Sequence, residues 1–158
     1  MDTETLSVAL EREHREIDAG IEEFVASRSN GDDANPAPLV RAMDALRRHI
    51  YLEEEFLFPP LRDAGMIPPI MVMLREHGEL WETMDVLQSA LDGASGDGEV
   101  GDTCTELLAQ LASHNSKEEP IIYPQADKVL TGEAADQLRA FIASGRLPDG
   151  WVCERAPS

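Results

Sequence analysis

The chain contains four histidines, and each lies in register with the apolar stripe of a different segment. His14 follows Leu10 by four residues in a stripe of Leu6, Leu10, Ile17, Ile21 and Phe24. His49 follows Leu46 by three in a stripe of Leu39, Met43, Leu46, Ile50 and Phe56. The third stripe, Ile70, Met73, Leu74, Leu80, Met84, Leu87 and Leu91, takes in His77 four residues after Met73. The fourth, Cys104, Leu107, Leu108, Leu111, Ile121 and Ile122, takes in His114 three residues after Leu111. Spacings of three and four mark one face of an α-helix. Four amphipathic helices are therefore predicted, each turning an imidazole toward a shared interior. Glu53 and Glu118 follow His49 and His114 by four residues, so each carboxylate shares its histidine's inward face.

Stretches rich in Gly, Pro, Asp and Asn separate the helices, at Asn30 to Pro38, Pro59 to Pro69 and Asp92 to Asp102. Helices joined by connections of this length pack antiparallel against their neighbours. The predicted fold is all-α: an up-down-up-down four-helix bundle over residues 1–130, then a short extra helix and a capping tail over residues 131–158. The extra helix is read from Ala134, Leu138, Phe141 and Ile142, and the tail is expected to lay Trp151 and Val152 across one end.

The histidines also expose an internal repeat. Glu13-His14 and Glu76-His77 share one context, and His49 and His114 both open H-x-x-x-E-E with a proline ten residues on, Pro59 and Pro124. The two pairs are offset by 63 and 65 residues, the trace of a duplicated helix pair with an approximate two-fold axis. Pro120, inside the second copy, lacks the N–H that would bond Ser116, so a kink or local break is expected there.

Two carboxylates among four imidazoles in an apolar interior need a compensating positive charge. The inward stripes offer no lysine or arginine, which points to metal cations. Four nitrogens plus two carboxylates that can each bridge supply two ions with two nitrogens and two oxygens apiece. Nitrogen with hard oxygen and no thiolate suits iron, manganese or zinc. With iron, coordination positions remain for an oxo or hydroxo bridge and for a small external ligand. A single histidine on an apolar face is ordinarily a hydrogen-bonded core residue, but four of them on four stripes, with the acid repeated at one offset, require more than that. The Glu-x-x-His pattern of ferritin-like centres fits only Glu11 and His14, and H-E-x-x-H is missing. No glycine-rich phosphate loop, G-x-S-x-G or Cys/His nucleophile pair occurs.

The surrounding composition narrows the partners. With 31 acidic against 13 basic side chains, a net charge of −18 repels nucleic-acid phosphates. No apolar run approaches the roughly 20 residues of a membrane span, and the acidic start has no basic, then apolar, leader pattern. A cytoplasmic protein is expected, with Cys104 and Cys153 as reduced, packed thiols. Three further side chains lie near the predicted centre. Asp18, one turn after His14, offers an extra ligand or a supporting hydrogen bond, against the plainer reading of a half-exposed helix acid. Trp81, one turn after His77, would limit solvent access or simply fill the core. Tyr123 offers an outer hydrogen-bonding or redox group, or packs at the bundle end where Phe58 sits in the first repeat.

The pattern of one His, H-x-x-x-E, one His and H-x-x-x-E, with E-E-x-x-[L/I]-x-P following each pair, resembles the hemerythrin HHE cation-binding family over roughly residues 5–128. The resemblance implies a non-haem di-iron site with His14, His49, His77 and His114 as terminal ligands and Glu53 and Glu118 as bridges. Oxygen-carrying hemerythrins place a second histidine where this chain has Met73, and use H-x-x-x-x-D where it has His114 and Glu118. These departures weigh against reversible oxygen carriage. The closer likeness is to bacterial HHE proteins and to the iron-sensing hemerythrin-like domain of an F-box protein. That likeness implies binding of, or reaction with, dioxygen, peroxide or nitric oxide; if turnover occurs, it implies oxidoreductase chemistry such as peroxide decomposition. The alternatives are a non-catalytic iron- or oxygen-sensing or iron-binding module whose protein partner the sequence does not name, and an idle dizinc or metal-free bundle.

Overall fold

The computed structural model describes residues 4–29, 35–94 and 97–157, and among these every regular element is helical. Helix α1 (Leu6–Ser29) is followed by α2 (Ala37–Leu52), which runs through a π-helical turn, Glu53–Leu57, into α3 (Phe58–Asp63). Helix α4 (Ile67–Ser89) leads to α5 (Asp97–Lys117), and α5 passes through a second π-helical turn, Glu118–Ile122, into α6 (Tyr123–Val129). Helix α7 (Gly132–Ser144) precedes the tail. The four rods α1, α2–α3, α4 and α5–α6 pack side by side as the predicted bundle, α1 against α2, α3 against α4, α4 against α5, and α1 against both α5 and α6.

The loop signals mark the breaks but overstate their length. Of the stretch expected as loop from Pro59 to Pro69, only the turn between α3 and α4 is non-helical. It is closed by Ala64 N–H to Pro60 O at 3.1 Å and Met66 N–H to Leu61 O at 3.1 Å, with Gly65 at a φ of 100°. Pro68 and Pro69 belong to the first turn of α4, where their missing N–H leaves no bond unmade, and Pro59 and Pro60 lie just past the π-turn of the continuous rod α2–α3. In the third connection α5 already begins at Asp97, because Val100 and Cys104 extend the buried stripe upstream. Residues 30–34 of the first predicted loop and residues 95 and 96 of the third lie outside the described residues.

The break expected at Pro120 takes the form of the second π-turn, but the first copy has the same turn with no proline inside it. In both, the closing bond spans five residues: Phe58 N–H to Glu53 O, and Tyr123 N–H to Glu118 O. The shared cause is the proline that follows, Pro59 or Pro124, whose ring would strike the carbonyl four residues back in a regular α-helix. Widening the turn relieves that clash.

The interior divides into two apolar clusters. One holds Ile17, Ile21, Phe24, Leu46, Ile50, Leu80, Trp81, Met84, Leu107 and Leu111. The other holds Leu6, Leu10, Leu52, Leu57, Phe58, Ile70, Met73, Leu74, Ile122 and Tyr123. On every rod the histidine sits between the two, so a buried polar layer crosses the bundle at mid-height.

Helix α7 packs Phe141 against Tyr51 and Phe56, with ring centroids 5.2 and 5.3 Å apart. Arg48 Nε donates to Gly145 O at 2.9 Å, and its other nitrogens reach the carbonyls of Phe141 and Ile142, closing the C-terminal end of α7. The tail then runs along the flank of α2 and α4, not across the end of the bundle. Trp151 packs on Tyr51 and Trp81, at 5.0 and 5.6 Å between centroids. Val152, expected to be covered, is 58 % exposed, and Cys153 is buried in its place. Both cysteines are free, and burial pushes the Cys104 thiol up to about 11 and the Cys153 thiol up to about 12, leaving them inert. No described helix is long and apolar enough to cross a membrane.

Candidate metal centre

The polar layer is organised around two carboxylates. Glu53 Oε2 lies 3.3 Å from His49 Nε2 and Glu53 Oε1 lies 3.0 Å from His77 Nε2. Glu118 Oε1 lies 3.0 Å from His14 Nε2 and Glu118 Oε2 lies 3.3 Å from His114 Nε2. Each carboxylate therefore presents one oxygen to each half of the layer. One atom each from His14, His49, Glu53 and Glu118 falls within a span of 4.8 Å, as does one each from Glu53, His77, His114 and Glu118. All six residues are buried, the two glutamates completely. The six donors expected from the sequence thus converge as two groups that share their acids.

Four more glutamates, the repeat-related pairs Glu13/Glu76 and Glu54/Glu119, surround this set. Glu13 Oε1 accepts from His49 Nδ1 at 2.9 Å, and Glu54 Oε2 from His77 Nδ1 at 2.8 Å. Glu76 Oε1 accepts from His114 Nδ1 at 2.9 Å, and Glu119 Oε2 from His14 Nδ1 at 2.7 Å. The contacts run from rod one to two, two to three, three to four and four back to one, so each rod orients the next rod's imidazole. A carboxylate at Nδ1 fixes the proton there and leaves the Nε2 lone pair facing inward, as metal-bound histidines require. Arg48 and Lys117 offset two of these acids, pairing with Glu13 and Glu76 from outside the layer.

The electrostatics show how much the layer lacks positive charge. Burial alone would lower the histidine values, but the facing glutamates outweigh it, holding His114 up to about 10 and raising His49 and His77. Burial alone would raise the acids, yet the imidazoles depress Glu53 and carry Glu118 well below the usual carboxylate range. A hydrogen bond from His114 brings Glu76 down to about 2. Among the described residues no lysine or arginine joins the two donor groups to balance these acids. Glu118 Oε2 is buried without a hydrogen-bond partner. An orphaned acid oxygen beside inward lone pairs fits cations bound at the shared carboxylates.

Tyr123 combines the two roles expected for it, packing in the apolar cluster and hydrogen bonding at the centre. Its ring occupies the position equivalent to Phe58, but its hydroxyl reaches into the layer, 2.8 Å from His14 Nε2 and 3.0 Å from His49 Nε2. The same oxygen lies 2.7 Å from Glu53 Oε2 and 2.8 Å from Glu118 Oε1. Burial and the two carboxylates push its phenol well above the usual tyrosine range. Asp18 stays outside both donor groups. It is half-buried, and burial and Glu22 raise its carboxyl. Trp81 lies in the apolar cluster below the layer, between Trp151 and the guanidinium of Arg47.

Comparison with known proteins agrees with this geometry. Residues 5–126 match the family model described as hemerythrin HHE cation binding domain. The chain is 28 % identical over 127 residues to the uncharacterized proteins Mb2018 of Mycobacterium bovis and Rv1995 of Mycobacterium tuberculosis, covering 72 % of this chain and 50 % of theirs. It therefore spans about half the length of the curated relatives it matches. No solved structure gives a significant match.

Proposed function

This chain belongs to the hemerythrin HHE cation-binding domain family, and we propose that it holds two iron ions and uses them, in the cytoplasm, to bind or react with dioxygen, peroxide or nitric oxide. The observation that carries the reading is the pair of shared acids: Glu53 and Glu118 each direct one oxygen to each of two histidine pairs, with no lysine or arginine among them. His14, His49, His77 and His114 would hold the ions at their ends, and Glu53 and Glu118 would bridge. Bound iron would supply Lewis acidity and redox electrons. The chain's own contribution is to orient the six donors through the Nδ1 carboxylates and to keep bulk water out with an apolar cluster on either side.

A second reading, in which metal occupancy acts on the tail instead of on a substrate, rests on one contact. Glu54 accepts from His77 through Oε2 while its Oε1 accepts the backbone N–H of Glu154 at 2.9 Å. Occupancy that fixes His77 would also fix the tail.

The test is metal quantification of protein purified without chelator, with visible spectra before and after reduction. Two iron atoms per chain and absorption that appears on exposure of the ferrous protein to air support the reading. Wild-type stoichiometry in both His49→Ala and Glu53→Ala would overturn it. Peroxide consumption that scales with iron content supports turnover; tail protection that tracks iron without turnover supports the second reading.

A further inference from the structure

We propose that Tyr123 Oη is a fifth protein donor to the cation held by His14, His49, Glu53 and Glu118, so that the two halves of the centre are chemically unequal. The inference rests on the reading that the polar layer holds metal.

The distances carry it. Around an ion with bonds of about 2.1 Å, neighbouring donors of an octahedron stand about 3.0 Å apart. Tyr123 Oη stands 2.8, 3.0, 2.7 and 2.8 Å from His14 Nε2, His49 Nε2, Glu53 Oε2 and Glu118 Oε1. Two edges among those four atoms, His14 to Glu118 and His49 to Glu53, are 3.0 and 3.3 Å. One atom nearly equidistant from four others at this separation, with those four within 4.8 Å of one another, stands where the apex of a square pyramid of five donors around one octahedral centre would stand.

Hydrogen-bond counting gives the same answer. With Nδ1 protons committed to Glu119 and Glu13, the two imidazoles turn Nε2 lone pairs toward the phenol, and the carboxylates add two more acceptors. A hydroxyl offers one proton among four acceptors. The remaining attractions are satisfied when a cation sits among the five.

The placement is built by the backbone. Tyr123 follows Glu118 by five residues, a spacing that points away in an α-helix but returns to one face across a π-turn. The first π-turn does the same for Glu53 and Phe58, yet Phe58 brings a bare ring that stacks on His77 with centroids 5.4 Å apart. The duplicated frame therefore offers a hard anionic oxygen to one half and a hydrocarbon to the other. The His77/His114 half keeps one more position for an external ligand, and the His14/His49 half is suited to the harder, ferric state.

The experiment compares iron-loaded wild type with Tyr123→Phe, which puts at residue 123 the side chain that Phe58 has at the equivalent position. Both proteins are loaded anaerobically with ferrous iron, exposed to air, and read for iron content and for phenolate-to-iron charge transfer by absorption and resonance Raman. Two irons in each, with phenolate features only in wild type, is the expected result; loss of one iron from the variant supports it as well. Two irons in each with the same spectra would overturn tyrosine ligation while leaving the metal centre standing. Iron in neither would overturn the metal centre and the ligation together. Should the variant fail to fold, zinc titration of wild type decides. The chain has two tyrosines, and Tyr51 packs away from the layer against Phe56, Phe141 and Trp151. Ultraviolet absorption of one ionised phenol per chain on adding zinc is expected, and its absence would overturn the assignment.

Discussion

Glu13 precedes one histidine in the chain and holds another in space: its carboxylate lies 2.9 Å from His49 Nδ1, on the neighbouring rod. The same displacement by one rod links Glu54 to His77, Glu76 to His114 and Glu119 to His14, so the ring of acids closes around the bundle. Orientation of each ligand then depends on its neighbour's helix. Glu13→Gln should weaken metal binding by roughly 10–100-fold without unfolding the protein, measured by competition against a calibrated chelator. Glu79→Gln, outside the ring, should leave affinity unchanged. Equal affinities for wild type and Glu13→Gln would remove the ring from any role in binding.

The pH dependence of the chelated protein follows from the same contacts. His114 rises from 6.5 to about 10 on folding, with His49 and His77 raised as well. Their stabilisation is complete below the unfolded value of 6.5 and is lost as pH climbs toward about 10. Glu76 moves from 4.5 to about 2 and Glu118 moves the same way, so their stabilisation is complete above 4.5 and is lost on acidification toward about 2. Melting of the chelated protein should therefore peak between roughly pH 4.5 and 6.5 and decline on the alkaline side. Metal must displace the imidazole protons, so the gain in melting temperature on adding metal should grow from pH 5.5 to pH 8. A gain that is flat across that range would contradict the exchange of protons for metal.

The bundle and its six inward donors were legible because burial imposes a period, and Leu10 to His14 or Leu46 to His49 keep that period through the polar layer. What lay outside that period was not legible. Glu13 and Glu54 sit one residue from an inward ligand, which points them toward a neighbouring rod, and from sequence alone they read as solvated surface acids; only their repetition as Glu76 and Glu119 marked them. For Tyr123 the sequence offers both a hydrogen-bonding group and packing at the bundle end, and cannot choose between them because composition does not announce the π-turn that brings residue 123 back to the face of Glu118. Pro59, Pro60, Pro68 and Pro69 read as loop because proline has the same signature in a turn, in a helix's first turn and just past a π-turn. Asp18 keeps the correct interval from His14 but remains half-buried, away from both donor groups.

Arg48 connects α7 to the ring. Its guanidinium donates to the carbonyls that end α7, lies 4.9 Å from the Phe141 ring centroid, and pairs with Glu13 Oε2 at 3.2 Å. Arg48→Ala leaves those carbonyls to water and frees Glu13 to rotate away from His49. A loss of about 2 kcal/mol is expected, roughly 5 °C in melting temperature. Metal affinity should fall in the same variant, whereas Arg47→Ala, which removes a cation from the face of Trp81, should not touch it. Parallel thermal melts and chelator competition separate the two; an Arg48→Ala protein with wild-type affinity would show that α7 and the centre are independent.

Gly78, next to His77, isolates the tail's contribution. Alanine is the better helix former by about 1 kcal/mol, but a Cβ at this position would stand 2.5 Å from the Arg155 carbonyl oxygen and 2.8 Å from its side chain. Backbone that close does not yield without moving the tail. Gly78→Ala should therefore lift residues 150–157 from the flank and lower thermal stability, because uncovering Cys153 and Trp81 outweighs the gain in helix propensity. Trypsin should cut after Arg155 faster than in wild type, and tryptophan emission should shift to longer wavelength as Trp151 leaves Trp81 and Tyr51. Glu54 would lose the N–H of Glu154 but keep His77, so metal affinity should fall by only a few-fold, less than for Glu13→Gln. Cleavage at the wild-type rate would mean that the tail does not close over Gly78.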